Sequence, residues 1–203
     1  MHALGCLIIE DFTAGAGMPS GRDLLRRLQS DGTEARAFAR GAGEAIWPAL
    51  QTALQQVRAA HGGAGIAAVG SGCAAALALA EQLPVDRLAL LFPRRAAGLR
   101  AAGGAELWRQ VGRLERYALM NLPLCVSEIL MVCRAKSGYA RRLRACGLRA
   151  NSRLIELCIP PEKELKFIED SQNGLNSALS GFLRTGDLPK SLAENPEMCI
   201  IYG

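Results

Sequence analysis

The sequence predicts an α/β fold in three layers, with a mostly parallel central sheet and helices on both faces. Short apolar runs alternate with segments whose apolar residues recur at helical spacing, and this alternation is typical of strands joined by crossover helices. Short crossovers favour right-handed parallel connections. At 203 residues, 50% of them hydrophobic, the chain is long enough to bury the core of one such domain.

The first part of the chain predicts two strand–helix units. Leu4–Ile9 is a continuous apolar run, as expected of a buried strand. A Gly- and Ala-rich loop then leads to Arg22–Asp31, whose leucines three and four residues apart predict an amphipathic helix. Ala35–Ala39 predicts a short strand after an Asp-Gly turn. Glu44–Ala60 predicts a second helix, with a proline in its first turn, where proline is tolerated.

The middle of the chain continues the alternation. Ile66–Val69 predicts an apolar strand, and the alanine-rich segment Cys73–Gln82 predicts the helix that follows it. Val85–Phe92, preceded by a proline, predicts the next strand. Residues 94–120 predict a helical region with a weak stop at a Gly-Gly pair, and Glu128–Cys133 predicts a further strand.

The last part predicts the helix Gly138–Cys146, the strand Arg153–Ile159 ended by two prolines, and the helix Gly174–Leu183. No interdomain linker is evident. We therefore assign residues 1–184 to one α/β domain and residues 185–203 to a C-terminal tail, whose final apolar residues predict an edge strand or a partner-binding segment.

Charge is unevenly distributed along the chain. The net charge is +5, but positions 91–160 alone carry 13 basic against 4 acidic residues. Such a segment can attract an anion or a nucleic acid. Few aromatic residues interleave with the arginines, and no nucleic-acid-binding module is recognisable. We therefore expect solvated helix faces here and no nucleic-acid partner.

Cysteine and histidine usage argues against a metal centre. The seven cysteines are scattered without a Cys-x-x-Cys pair, and the histidines are His2 and His61. An odd count at wide spacing is untypical of a disulfide framework, and zinc sites usually combine close ligand pairs. From this pattern we expect no metal and no cofactor.

The chain also lacks signals for a membrane or for secretion. No apolar run reaches the ~18–20 residues that span a bilayer, and the first residues have neither a basic region nor a signal-type apolar block. The expected location is the cytoplasm.

The most informative segment is residues 66–79, where an apolar strand runs through a glycine-broken turn into an alanine-rich helix. This is the outline of a nucleophile elbow, whose pattern is Gly-x-Ser-x-Gly. The chain reads Gly70-Ser71-Gly72-Cys73-Ala74. In this alignment Gly72 stands at the nucleophile position, and it has no side chain that could react.

Together with four further strand-like segments, the turn makes residues 3–184 similar to the α/β-hydrolase family, without a lid domain. The segments are those around residues 5–13, 85–93, 127–133 and 153–160. The resemblance implies a backbone N–H at Phe12 in an oxyanion hole, a catalytic acid after Cys133 and a catalytic histidine after Ile159.

The residues at those positions do not supply this chemistry. Acyl transfer in the family needs a nucleophile, a histidine and an orienting carboxylate. After Cys133 the chain reads Arg-Ala-Lys-Ser-Gly, and no histidine follows His61. Where the family has His-Gly, the chain has Glu10-Asp11, two carboxylates near the place where negative charge would develop.

Two alternatives remain for the same turn. Cys73, at a helix N-terminus, is a candidate thiol nucleophile with Glu10 or Asp11 as its base, or else a small apolar packing residue. Gly70-x-Gly72-x-x-Ala75 matches a dinucleotide fingerprint, for which Arg94 and Arg95 would favour a 2′-phosphate. In this second alternative a pyrophosphate would bind at the helix N-terminus.

Our leading hypothesis is an α/β-hydrolase-like protein that has lost its catalytic residues and binds a small molecule or a protein partner in the former crevice. A homo-oligomer is compatible with this hypothesis. We expect the crevice to be lined by seven residues: Glu10, Asp11, Phe12, Gly70, Ser71, Gly72 and Cys73. Ser71 is expected to cap the following helix.

Overall fold

The computed structural model describes residues 4–12, 21–38, 45–94, 106–111, 126–134, 137–138, 141, 153–159, 172–187 and 199–202. Seven strands form one sheet: β1 (Gly5–Ile9), β2 (Ala35–Ala37), β3 (Ala64–Val69), β4 (Val85–Leu91), β5 (Val126–Arg134), β6 (Arg153–Ile159) and β7 (Cys199–Tyr202). Four helices have defined bounds: α1 (Gly21–Ser30), α2 (Ile46–His61), α3 (Gly72–Gln82) and α4 (Gln172–Thr185). Residues 106–111 are also helical.

The sheet has the strand order β2-β1-β3-β4-β5-β6-β7. Its first six strands are parallel. The edge strand β7 runs antiparallel to β6, with Cys199 opposite Cys158 in the register. The predicted mostly parallel sheet is therefore confirmed.

Helices cover both faces of the sheet. On one face, α2 and α3 pack with the helical residues 106–111 against alternate residues of the strands, in one continuous apolar cluster. On the other face, α1 and α4 pack against the intervening strand residues in a second cluster, which includes Leu24, Leu28 and Phe182. Because both faces are covered, the central strands β1 and β3 are apolar along their whole length. The three-layer architecture predicted from the sequence is confirmed.

Most element boundaries lie close to the predicted ones. The helix α3 begins at Gly72, one residue before the predicted start. The strand β5 is longer than predicted at both ends, and α4 extends beyond the predicted Gly174–Leu183. The predicted helix Gly138–Cys146 and most of 94–120 lie outside the described residues.

The strand order reverses direction between β1 and β3. From β1 the chain crosses to β2 on one side, and later strands from β3 onward are added on the other. Ligands of open α/β sheets bind at such a switch point, in the crevice beyond the carboxyl ends of the strands. Residues 10–12, after β1, and residues 70–73, after β3, meet at this point.

Within the described residues, none of the helices combines the length and apolar character needed to cross a membrane.

Candidate functional site

The turn after β3 contains one residue with a left-handed backbone, and that residue is Gly70, with φ of 58°. The reactive residue of a nucleophile elbow occupies the strained position between strand and helix. In this chain that position belongs to Gly70, because Gly72 already forms the first residue of α3. Our sequence alignment placed Gly72 at the elbow position, two residues after the residue that has this backbone. Both positions are glycine, so neither offers a side chain.

The carboxylate of Asp11 lies where a side chain at Gly70 would stand. A Cβ added to Gly70 would collide with Oδ2 of Asp11 and would lie 2.6 Å from its Cγ. The Asp11 side chain is only 7% exposed. Asp11, which follows β1, therefore fills the space that a side chain at residue 70 would occupy.

Ser71 connects the ends of β1 and β3. Its hydroxyl donates to Oδ1 of Asp11 at 2.5 Å and accepts a hydrogen bond from the backbone N–H of Phe12 at 3.0 Å. Ser71 occupies the N-cap position of α3, but its side chain makes no capping hydrogen bond. The predicted capping role of Ser71 is therefore wrong: the hydroxyl bonds instead across to the turn after β1.

The hydrogen bond to Ser71 also engages the group that the family resemblance assigned to an oxyanion hole. In that assignment the Phe12 N–H points at the reacting oxygen. Here the same N–H points at the Ser71 hydroxyl, which is 1% exposed. The Phe12 N–H is therefore used in a hydrogen bond between the turn after β1 and the turn after β3.

Gly72 allows α3 to begin directly against the end of β1. A Cβ added there would lie 2.6 Å from the carbonyl oxygen of Glu10 and 2.8 Å from that of Ile9. Both neighbours are backbone atoms, which cannot rotate away as a flexible side chain can. Glycine at this position is therefore required by packing between the helix and the strand.

Cys73 faces the interior of the protein. It is completely buried, and its thiol donates to the carbonyl oxygens of Ala68 at 3.2 Å and Leu91 at 3.5 Å. Burial raises the pKa of this thiol far above its usual value, and the negative charge of Asp11 acts in the same direction. A reactive cysteine needs the opposite environment, exposed and electropositive.

Two charged residues stand at the exposed rim of the turn. Glu10 is exposed, and the side chain of Arg94 is 42% exposed. One Arg94 nitrogen, Nη1, lies 3.9 Å from Oδ2 of Asp11, and the Arg94 backbone N–H donates to the carbonyl oxygen of Gly70 at 3.1 Å. Arg95, the other arginine of the dinucleotide hypothesis, lies outside the described residues.

Six of the seven predicted crevice residues thus meet around one turn, while Cys73 points away from it. His61 is not near this turn. It ends α2, and its ring packs at the beginning of β1, where a Cβ on Gly5 would lie 3.0 Å from its Cγ. A strand rises about 3.3 Å per residue, so the length of β1 separates this histidine from the turn.

A second polar cluster lies between β5 and β6, and the sequence did not indicate it. Cys133 and Cys158 are register partners, and Glu156 lies two residues before Cys158. The two thiols donate to the same carboxylate oxygen, Oε1 of Glu156, at 3.2 and 3.3 Å. All three residues are buried. Burial, followed by the hydrogen bond to Glu156, raises the pKa of the Cys133 thiol strongly.

Comparison with known proteins gives a likeness in structure and none in sequence. No family model matches the sequence, and no curated protein matches it. Among solved structures, a provisionally assigned hydrolase of the α/β superfamily from Xanthomonas campestris pv. campestris is similar in fold, with a TM-score of 0.49 and 14% sequence identity. The match covers 87% of this chain and 98% of that protein.

The fold and the site together define a three-layer α/β protein with a tight strand-to-helix turn at its topological switch point.

Proposed function

We propose that this chain is a non-catalytic α/β-hydrolase-like protein that binds a small molecule in the crevice at the carboxyl ends of β1 and β3. The observation that carries the proposal is that the Asp11 carboxylate occupies the space where the side chain of an elbow residue would lie. Gly70 has the left-handed backbone of an elbow residue, and the carboxylate of Asp11 stands where its side chain would be.

The position of the Asp11 carboxylate also opposes acyl transfer. A tetrahedral intermediate places a negative oxygen beside the elbow, and efficient catalysts surround that oxygen with hydrogen-bond donors. Here a buried carboxylate lies at that position, and the neighbouring Phe12 N–H already donates to Ser71. The Ser71 hydroxyl itself donates to Asp11, and the described residues bring no histidine to it that could accept its proton.

A hydrolase with a thiol nucleophile receives no support from the site. The Cys73 sulfur is buried among backbone carbonyl oxygens, so a thiolate there would face acceptors only. The dinucleotide alternative is disfavoured for a related reason. A pyrophosphate would have to approach the backbone of Gly70, and the Asp11 carboxylate lies directly beside that backbone. The negative charges of the pyrophosphate and the carboxylate would repel each other.

What remains available to a ligand is the rim of the crevice. Glu10 and Arg94 offer one exposed carboxylate and one exposed guanidinium. The hydrogen bonds among Asp11, Phe12 and Ser71 hold the turn between them in one arrangement. A preorganised turn with polar groups at its rim suits recognition of a small polar molecule.

Hydrolysis of p-nitrophenyl acetate and butyrate tests the absence of catalysis. We expect no turnover above the buffer rate from the wild-type protein, from Cys73→Ala or from the control variant Cys6→Ala, which removes a buried thiol on another strand. Turnover that is lost in Cys73→Ala and retained in Cys6→Ala would overturn the proposal and make Cys73 the nucleophile.

Amide chemical-shift mapping tests the binding site. We would titrate the ¹⁵N-labelled protein with mixtures of small amines, carboxylates, sugars and nucleotides, and we expect shifts confined to residues 10–12, 70–73 and Arg94. An Arg94→Met variant should weaken that binding without altering the fold. Shifts that cluster elsewhere, or none with any mixture, would contradict a small-molecule crevice and favour the alternative occupant, a protein partner.

A further inference from the structure

The buried cluster of Cys133, Glu156 and Cys158 is separated from the crevice by β4, and nothing in the proposed binding function uses it. Cys133 and Cys158 are each the second-to-last residue of their strand, side by side in the parallel register. The cluster therefore lies near the carboxyl edge of the sheet, on the face covered by α2 and α3.

We propose that these three side chains form a binding site for a thiophilic divalent cation of the zinc class. The two sulfur atoms are 3.8 Å apart, and each lies 3.2–3.3 Å from Oε1 of Glu156. In a tetrahedral zinc site, with Zn–S of about 2.3 Å and Zn–O of about 2.0 Å, neighbouring sulfurs are about 3.8 Å apart and sulfur and oxygen about 3.5 Å apart. The cluster thus has the dimensions of one face of that tetrahedron to within about 0.3 Å.

The donor set selects the class of ion. Two thiols and one carboxylate suit a borderline-soft cation, whereas magnesium and calcium require oxygen ligands. An iron–sulfur cluster would need four cysteines around it. Beyond Cys158 the next strand places Cys199 at the opposing register position, so the chain is rich in cysteine at this corner of the sheet.

The burial of the three side chains favours a bound cation over the same side chains without one. Glu156 is fully buried, and Cys133 and Cys158 are 1% and 8% exposed. Burying a carboxylate is costly unless charge or hydrogen bonds compensate it. On binding, the two thiol protons pass to solvent and the cation takes their place among the three donors. The ligands are supplied by adjacent strands of a sheet, which hold them rigidly.

The test begins with the untagged wild-type protein, stripped with a chelator and titrated with Co²⁺ as a spectroscopic probe. We expect a thiolate-to-cobalt charge-transfer band that saturates at one equivalent and is abolished by one equivalent of Zn²⁺. Zn²⁺ at a hundredfold excess over its Kd should raise Tm by about 5–10 °C, and the same concentration of Mg²⁺ should not. A wild-type protein that gives neither the band nor the Zn²⁺-specific rise in Tm would overturn the proposal.

Variants then assign the ligands. Cys133→Ser and Cys158→Ser should lose the charge-transfer band, and Glu156→Gln should weaken Zn²⁺ binding in competition with a chromophoric chelator. Cys6→Ala removes a thiol that is equally buried but lies in the cluster on the opposite face, and it should bind Co²⁺ like the wild type. Retention of the full band in both cysteine-to-serine variants would overturn the assignment. The Co²⁺ and Zn²⁺ measurements on the wild-type protein test the proposal even if one of the variants fails to fold.

Discussion

Replacement of Gly72 by alanine tests how closely α3 is packed against the end of β1. The added methyl group would lie 2.6 Å from the Glu10 carbonyl oxygen and 2.8 Å from that of Ile9. Because both neighbours are backbone atoms, either the helix or the strand must move. Overpacking of this kind costs about 1–3 kcal/mol.

A second effect of this substitution has the opposite sign. Alanine is favoured over glycine inside a helix by about 1 kcal/mol. Taking the upper part of the overpacking range, we expect a net loss of about 2 kcal/mol in the free energy of unfolding. For a chain of this length the loss corresponds to a fall in Tm of about 4–8 °C.

Urea unfolding followed by tryptophan fluorescence measures this loss, since Trp47 is 3% exposed and belongs to the same apolar cluster as α3. Gly138→Ala is the matched control. Gly138 is helical, and among the described residues nothing lies within 4 Å of a Cβ added there, so the control should be neutral or slightly stabilising. A Gly72→Ala protein as stable as the wild type would refute the close approach of α3 to β1, and with it the described geometry of the turn.

Three further predictions concern polar side chains. Arg87→Met removes an ion pair of 2.9 Å to Glu128 and two hydrogen bonds to the last carbonyl groups of α4, and urea unfolding should show a loss of about 1.5–3 kcal/mol. Ser71→Ala should cost about 1–3 kcal/mol in the same assay, because it removes the partner of the part-buried Phe12 N–H. The Ser180 hydroxyl, and to a lesser degree Arg27, hold the pKa of Asp31 below the ordinary value for an aspartate. A depressed pKa adds stability that is present above the unfolded pKa and is lost as pH falls through the folded pKa, so Asp31→Asn should flatten the fall in stability below about pH 4.

Residues of the same types on α1 serve as controls for these variants: the exposed Arg26 and Ser30, changed to Met and Ala, and the half-buried Asp23, changed to Asn. Each control should change the free energy of unfolding by less than about 0.5 kcal/mol. Equal losses in a variant and its control would show that the buried contacts contribute little. If the fall in the free energy of unfolding at low pH is unchanged in Asp31→Asn, another titrating group controls that fall.

The order of elements in this protein could be read from its sequence because strands and helices differ in the spacing of their apolar residues. Ile66–Val69 is an uninterrupted apolar run and Val85–Phe92 is apolar except for Asp86 and Arg87, and both lie within one or two residues of the observed β3 and β4. Alanine-rich residues after a glycine-broken turn located α3 to within one residue. These are local signals, and local signals suffice for local structure.

The position of the strained residue in the turn could not be read in the same way. The segment 70–74 offers two glycines, and the Gly-x-Ser-x-Gly pattern does not say where the strand stops. Only the backbone shows that Gly70 carries the positive φ and that Gly72 begins the helix. The contact between Asp11 and the Gly70 position depends on two segments 59 residues apart, so no local pattern contains it.

The cluster of Cys133, Glu156 and Cys158 could not be predicted from the sequence for a similar reason. Cys133 and Cys158 are 25 residues apart and share no spacing motif. They become neighbours because their strands are adjacent and in register, and register is a property of the assembled sheet. A pair of apolar strands that each carry a cysteine near the end, one of them with an acidic residue two positions earlier, is the signal that could have indicated it.

The first nine residues of α3, from Gly72 to Ala80, are all buried, and six of them are alanine or glycine. A helix enclosed on every side by its own protein has no solvent face on which substitutions are harmless. We therefore expect sequence drift in this segment to be confined to exchanges among alanine, glycine, serine and cysteine. Its amide hydrogens should exchange with solvent only when the whole domain unfolds, so this helix would report the global stability of the protein.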